Sequence, residues 1–333
     1  MSALPQVDWA RLRELRARFL DAESRATPAA TADYFAFAHD VELYDMTFAQ
    51  RIGWKWIAAL RELEQRAPQL APRTLLDWAC GSGAAARALL ASPLGARVER
   101  VNLWDRSQRA REYARRSLLE LRPGLEVELC VRDGADLVLA SHVLDELDEE
   151  GERALEAVLR SARACVVLES GAHASSRRLG ALRARMLDEF TPLAPCPHRE
   201  ACGALALPTN WCHFFAKPPA EVFRDAFWAE FAREVGVDLR SLAYSFVALT
   251  RSNVEFDAAQ HRILGRARLM KGRALLDACS REGVATLSLL ERLDRKLFKT
   301  LDEPSNEPKL WRLELEGARI TALRNAADAS RDP

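Results

Sequence analysis

Long apolar runs are missing from this chain. No stretch approaches the roughly 20 consecutive apolar residues that span a bilayer, which excludes a membrane helix. Net charge is missing too. The 48 Lys and Arg residues are matched by 48 Asp and Glu, so the chain as a whole is no polyelectrolyte binder. The opening residues do not read as a signal peptide, and the cysteine count of seven is odd. A disulfide framework is therefore not expected, and a soluble cytoplasmic protein is. Lysine is the scarcer cation. Arginine suits bidentate phosphate contacts and base stacking, although biased codon usage gives the same excess. At 333 residues, with 49% hydrophobic and 29% charged, the chain has room for one large domain with an appendage or for two domains.

What is abundant is abundant locally. Three of the cysteines fall in one short stretch, as Cys196-Pro197-His198-Arg199-Glu200-Ala201-Cys202 and then Trp211-Cys212-His213-Phe214. Thiolates are soft ligands that select zinc or iron–sulfur clusters over magnesium or calcium. Three ligands do not close a tetrahedral site. The fourth comes from His198, His213 or the distant Cys279. The plainer reading is a set of buried free thiols packing as small hydrophobes, and Cys80, Cys130 and Cys165, in apolar strand-like runs, fit it.

Leu12, Leu15, Phe19 and Leu20, and later Trp54, Ile57, Leu60 and Leu63, recur at helical spacing, so the first seventy residues are expected to be helical. Tyr34, Phe35, Phe37 and Tyr44 suit an aromatic binding surface or, more commonly, core. Beyond them the pattern changes. Arg73 to Asp77 reads as a strand, and Trp78-Ala79-Cys80-Gly81-Ser82-Gly83 as a turn opening a helix from Ala84 to Ala91. Strand, glycine turn and helix open a nucleotide-binding doubly wound sheet, with free N–H groups at the helix start. Val98 to Leu103 is a second strand ending in Trp104-Asp105, where an acid accepts hydrogen bonds from ribose hydroxyls. A helix over Arg106–Leu121 follows. Val127 to Val131 is a third strand with Asp133 just after it. Asp136 to His142 is a fourth, running into Val143-Leu144-Asp145-Glu146-Leu147, and Cys165 to Leu168 is a fifth. The alternation argues for a parallel α/β sheet. Gly-Ser-Gly lacks the third glycine of a dinucleotide fingerprint, which speaks against an NAD-dependent enzyme.

These residues resemble the class I S-adenosylmethionine-dependent methyltransferases. The resemblance implies a cofactor site of Asp77, Ala79, Gly81, Gly83, Asp105 and Asp133. Ala79 stands where the family has its first glycine. Pro195-Cys196-Pro197-His198, Cys202 and Trp211-Cys212-His213-Phe214, after Val167-Leu168-Glu169-Ser170-Gly171, narrow the resemblance. The chain is similar, over residues 35–285, to the methyltransferase-like family associated with the mitochondrial small ribosomal subunit, which has bacterial members. That resemblance implies a 4Fe-4S cluster held by Cys196, Cys202, Cys212 and Cys279, with zinc on the same ligands as the alternative. It also implies binding to small-subunit ribosomal RNA or an assembly particle, with methyl transfer itself open. Ser245 to Leu249 resembles the family's last core strand.

After Phe256, His261–Cys279 and Val284–Leu290 alternate as strands joined at Gly283, and Leu310 to Ile320 adds a strand pair. Arg262, Arg266, Arg268, Lys271, Arg273, Arg292, Arg295, Lys296 and Lys299 gather here. Such a basic, β-rich appendage suits a phosphate backbone, whereas a solvated strand face with balanced charges is the plainer reading. The expected layout is a helical region at 1–70 and a cofactor-binding domain at 71–255 with a Cys-rich insertion at 190–215. The appendage at 256–322 and a tail at 323–333 complete it. No Asn-Pro-Pro-Tyr motif follows the fourth strand, and no cysteine stands where the cytosine-5 enzymes keep their nucleophile. His142, Asp145 and Glu146 remain as candidate bases, and each is equally suited to a cap or a structural role. Two functions follow: an RNA methyltransferase stapled by a cluster, or a non-catalytic assembly factor that kept cofactor binding. The sequence leaves open the target nucleotide, the oligomeric state and any redox sensing.

Overall fold

A computed structural model describes residues 7–20 and 33–325. Helices α1 (Trp9–Leu20), α2 (Ala38–Tyr44) and α3 (Gln50–Arg66) come first, with a π-helical turn, Asp45–Ala49, between the last two. Next are β1 (Thr74–Trp78), α4 (Ala84–Leu90), β2 (Arg100–Trp104), α5 (Gln108–Leu121), β3 (Glu126–Glu128), β4 (Leu137–Ser141) and α6 (Glu149–Ser161). They are followed by β5 (Ala164–Ser170), α7 (His173–Met186), β6 (Thr191–Ala194), β7 (Phe214–Ala216), α8 (Ala226–Val235) and β8 (Leu242–Thr250). The chain closes with β9 (Gln260–Met270), β10 (Arg273–Ser280), β11 (Gly283–Leu290), α9 (Arg295–Thr300), β12 (Leu310–Glu316) and β13 (Arg319–Asn325). The tail expected at 323–333 is thus strand as far as Asn325, and its remainder, 326–333, lies outside the described residues. Among the described residues no helix is long and apolar enough to cross a membrane.

Contacts divide the chain into two compact units, the first being Met1–Ile57, Ala71–Ala162 and Lys217–Leu242. Here the strands are parallel in the order β3-β2-β1-β4, with Leu75 opposite Val101 on one side and Leu137 on the other. Leu75, Leu76, Val101, Leu103, Leu137 and Leu139 are fully buried. Burial of adjacent residues such as Leu75 and Leu76, which point to opposite faces, marks strands covered on both faces. Strand order reverses at β1, which creates a switch point where ligands bind beyond the carboxyl ends of the strands. Helix starts are set by side chains: Ser107 accepts from the Ala110 N–H, and Asp148 from that of Gly151. Arg11 of α1 grips the buried Asp40 of α2 through two bonds of 2.7 Å. Burial works against the Asp40 carboxylate, but the guanidinium and the Phe37 N–H hold its pKa below the usual value.

The second unit is Ala58–Leu70, Arg163–Ala216 and Ala243–Pro333. In it β8 lies antiparallel between β5 and β6, and β7 also pairs with β8. The Cys-rich segment 190–215 opens in β6 and runs into β7. Pro192 is tolerated because β6 ends the strand order. The last five strands close a barrel in the order β9-β10-β11-β13-β12-β9. Ala274, Leu276 and Ala278 of β10 alternate inward with Leu287 and Leu289 of β11, against Trp311, Leu313 and Ile320. The single strand expected over His261–Cys279 is two, because the chain reverses at Lys271-Gly272, where Gly272 has φ 73°. A left-handed backbone of this kind favours glycine.

Candidate cofactor crevice and cysteine-lined cavity

In the first unit the glycine turn leaves the end of β1 and starts α4. Ala79, Gly81 and Gly83 all have left-handed backbone, with φ of 58°, 51° and 83°. For Ala79 that conformation costs about 1–2 kcal/mol, so the position suits the glycine that the resemblance led one to expect. A Cβ on Gly83 would lie 3.1 Å from that of Ala114, so this glycine permits close approach of α4 and α5. The Cys80 N–H donates to the Trp104 carbonyl at 3.0 Å. The Gly81 N–H donates to Asp105 Oδ2, and the Ser107 N–H to Oδ1, each at 2.9 Å. Burial raises the pKa of Asp105, and these two N–H groups oppose the rise.

Asp77 is fully buried. Its Oδ2 accepts from the Ala86 N–H at 3.1 Å, while its Oδ1 has no hydrogen-bond partner. Burial pushes the Asp77 carboxyl up to about 8, against the pull of the Ala86 N–H. Tyr44, which the sequence offered as part of an aromatic surface or of the core, is held against this turn, 3.8 Å from the position a Gly81 Cβ would take.

His142 follows β4, the neighbour of β1, and carries the other left-handed non-glycine backbone, φ 54°. Its Nε2 lies 3.4 Å from the Lys55 ammonium. Loss of water around the ring, and then Lys55, hold its pKa well below the ordinary value, so the imidazole is neutral near pH 7. Glu146 is engaged: Tyr34 Oη donates to it at 2.8 Å, and Arg106, stacked over the Tyr34 ring, lies 3.7 Å away. Asp145 sits half-buried in the same turn, Leu144–Glu146. Asp133 is not brought to this crevice. It is exposed and stands three residues before Asp136, whose carboxylate caps the Arg73 and Thr74 N–H groups at the opening of β1. The link from β3 to β4 carries no helix, and the Gly134 N–H lies 3.5 Å from Ser161 Oγ at the end of α6, so the chain is already back at the amino-terminal edge of the strands.

In the second unit Cys196, Cys202, Cys212 and Cys279 line one small cavity, with Arg183, His198 and Arg262 in its wall. Cys279 Sγ is 3.5 Å from His198 Nε2. Cys202 is brought in by Gly203, where a Cβ would meet the Gly283 backbone at 2.6 Å. Two arginines of α7 hold the loop through its carbonyls: Arg177 bonds Ala204, Leu207 and Asn210, and Arg183 bonds His198 and Glu200. Arg183 Nε also lies 3.1 Å from Cys196 Sγ, and Arg66 donates to the Cys196 carbonyl at 2.8 Å.

Burial raises the thiol of Cys196, against Arg183, and lifts Cys279 to about 12. Cys212 is raised most clearly, by burial and then by the other three thiols. Buried, unpartnered N–H groups of Arg183 (Nη1) and Arg262 (Nε) belong to this wall. Glu62 takes the Arg262 Nη2 at 2.8 Å, both side chains being buried. Among the described residues no three His, Cys, Asp or Glu side chains are gathered to hold a metal ion. Arg66, Arg183 and Glu62 escaped the sequence reading because one charged residue among many carries no local signal, and Arg262, expected on the basic face of the appendage, is instead buried here.

The chain matches the family described as mitochondrial small ribosomal subunit Rsm22 over residues 47–302. No curated protein matches it. Solved structures similar to it include magnesium protoporphyrin IX methyltransferase from Synechocystis with bound SAM, at 13% identity and TM-score 0.39, covering 76% of this chain and all of that one. Mitomycin 7-O-methyltransferase aligns at 14% identity and TM-score 0.42, covering 74% of this chain and 69% of that one.

Proposed function

The chain belongs to the mitochondrial small ribosomal subunit Rsm22 family, and from that premise we propose that it binds S-adenosylmethionine and acts on, or with, small-subunit ribosomal RNA. The observation that carries this reading is the crevice at the reversal of strand order, where Asp77, the left-handed turn and Asp105 come together. The unpartnered Asp77 Oδ1 supports it, because a buried acceptor without a donor is costly unless a ligand supplies one. In this reading Gly81 and Gly83 keep the turn low beside the ligand, Asp105 accepts from its ribose hydroxyls, and Asp77 accepts a donor of the cofactor. When bound, the cofactor supplies an electrophilic methyl group. The neutral His142 is the residue suited to take a proton from an acceptor. Glu146 is held by Tyr34 and Arg106, which favours a non-catalytic reading of that carboxylate and keeps the assembly-factor alternative in play.

The cysteine-lined cavity fits a sulfur-ligated, anionic group. Four thiolates around a 4Fe-4S core carry net negative charge, and the orphaned N–H groups of Arg183 and Arg262 answer it. Cys196, Cys202, Cys212 and Cys279 would hold that group, whose role here is to tie the 196–212 loop to β10. A single zinc on the same four thiols is the alternative. Calorimetry with S-adenosylmethionine, iron and sulfide analysis after anaerobic purification, and co-sedimentation with small ribosomal subunits test the parts separately. Cofactor binding, bound iron and co-sedimentation are expected. A protein that binds no cofactor would sink the reading of the crevice. Transfer of labelled methyl groups to ribosomal RNA separates the enzyme from the assembly factor.

A further inference from the structure

We propose that residues 260–325 form an oligonucleotide-binding barrel, and that the outer face of β9, β10 and β11, at their hairpin end, takes single-stranded RNA. The proposal rests on the ribosomal-RNA reading above and adds to it a site and a strand state. The barrel closes in the order first, second, third, fifth, fourth, first, with α9 between the third and fourth strands and β11 parallel to β13. This is the Greek-key arrangement of barrels that bind oligonucleotides on the face of their second and third strands and on two flanking loops.

Fold alone assigns no function, so the side chains must decide. Ala274, Leu276 and Ala278 fill the barrel, which turns Arg273, Leu275, Asp277 and Cys279 outward. Register then fixes two outward rows. Met270, Arg273 and Leu290 form one, and Arg268, Leu275 and Ser288 the next. The acid of this face, Asp277, is neutralised by Arg268 at 2.9 Å and bonded by Thr286 at 2.7 Å. Lys271 and Arg273 stand exposed at the hairpin. Arg319 borders it too, since it pairs with Ser288 across β11 and β13.

The opposite end of the face is closed: Cys279 points into the thiol cavity, and His213 lies 2.9 Å from where a Gly265 Cβ would be. The open end therefore mixes cations with apolar side chains, Met270 being 46% exposed and Leu275 and Leu290 half-buried. Cations answer phosphates on any nucleic acid. Exposed apolar side chains answer bases only when the bases are unpaired, because a duplex hides its base faces. Phe, Tyr and Trp are absent from 260–290. Bases must then rest on guanidinium planes and aliphatic chains, which gives little sequence preference.

The test uses the full chain and a labelled oligouridine of about 12 nucleotides, within the span of one such barrel, titrated at several salt concentrations. Each phosphate contact on a single strand contributes about 0.7 to the slope of log affinity against log salt. The Lys271→Ala, Arg273→Ala double variant is expected to shed about 1.4 of that slope and roughly tenfold or more in affinity at low salt. Arg295→Ala, Lys299→Ala removes the same charge from α9 and is expected to change neither. S-adenosylmethionine affinity, measured on the same samples, should stay at the wild-type value, which shows that each variant is intact. An unchanged slope in the hairpin variant overturns the proposal, as does an equal loss in the α9 variant. So does a duplex that binds as tightly as the single strand, or no binding of the oligouridine at all. Failure of the cofactor titration in the wild type would instead strike the reading of the crevice.

Discussion

Asp105 Oδ2 accepts the N–H of Gly81 at 2.9 Å, so the acid that ends β2 holds the glycine turn that follows β1. The same carboxylate thus shapes the turn and, in the reading proposed above, is the one that faces the cofactor's ribose. Asp105→Ala should weaken S-adenosylmethionine binding by about 1.5–3 kcal/mol, the range for hydrogen bonds to a charged group. Calorimetry that finds wild-type affinity in this variant would remove Asp105 from the site.

Ala79→Gly should stabilise the protein. The left-handed backbone at Ala79 costs about 1–2 kcal/mol, and the extra freedom of glycine in the unfolded chain gives back about 0.5–1 kcal/mol. A net gain of about 0.5–1 kcal/mol should appear as a higher urea midpoint with an unchanged slope. A lower midpoint would show that the methyl group packs usefully.

Asp77 sets a pH dependence. Burial lifts its folded-state pKa to about 8, above the unfolded value of about 3.9. A raised pKa gives stability that is complete below the unfolded value and is lost as pH climbs towards 8. The ligand-free protein should therefore lose at least about 1.4 kcal/mol, the equivalent of one pKa unit, between pH 5 and pH 8. Asp77→Asn should flatten that decline. Parallel decline in wild type and variant would assign it to other groups.

Glu62 and Arg262 form a buried pair at 2.8 Å. Removing one member strands a charge and costs about 3–5 kcal/mol. Glu62→Leu alone should show this loss in urea unfolding, and Glu62→Leu with Arg262→Met should recover much of it. Additive losses would mean that each side chain acts through other contacts.

Cys279→Ser should lower both iron and sulfide content after anaerobic preparation and bleach the visible spectrum. Full loading with an unchanged spectrum would dismiss Cys279 and promote His198, whose Nε2 lies 3.5 Å from the Cys279 sulfur. One zinc with no iron would keep the site and replace the cluster.

The crevice was legible because each of its parts is local. An apolar strand, a glycine turn and an acid after the next strand are read within a few residues. Asp133 was misplaced because its position depends on the length of a connection rather than on its own neighbours. The β9–β10 turn was missed because Lys271-Gly272 interrupts an alternation that resumes on the other side. The cavity wall was half visible. Cysteines are rare enough to stand out, whereas the contribution of Arg183 depends on α7 carrying it to a loop that shows no periodicity.

The thiols also impose an order of events on the newly made chain. Cys196, Cys202 and Cys212 emerge together, but Cys279 lies on β10 and closes the cavity only after the start of the barrel has been translated. A nascent chain, or a fragment that stops short of β10, presents three of the four sulfurs and lacks Cys279. Completion of the cavity therefore reports that translation has passed the second barrel strand.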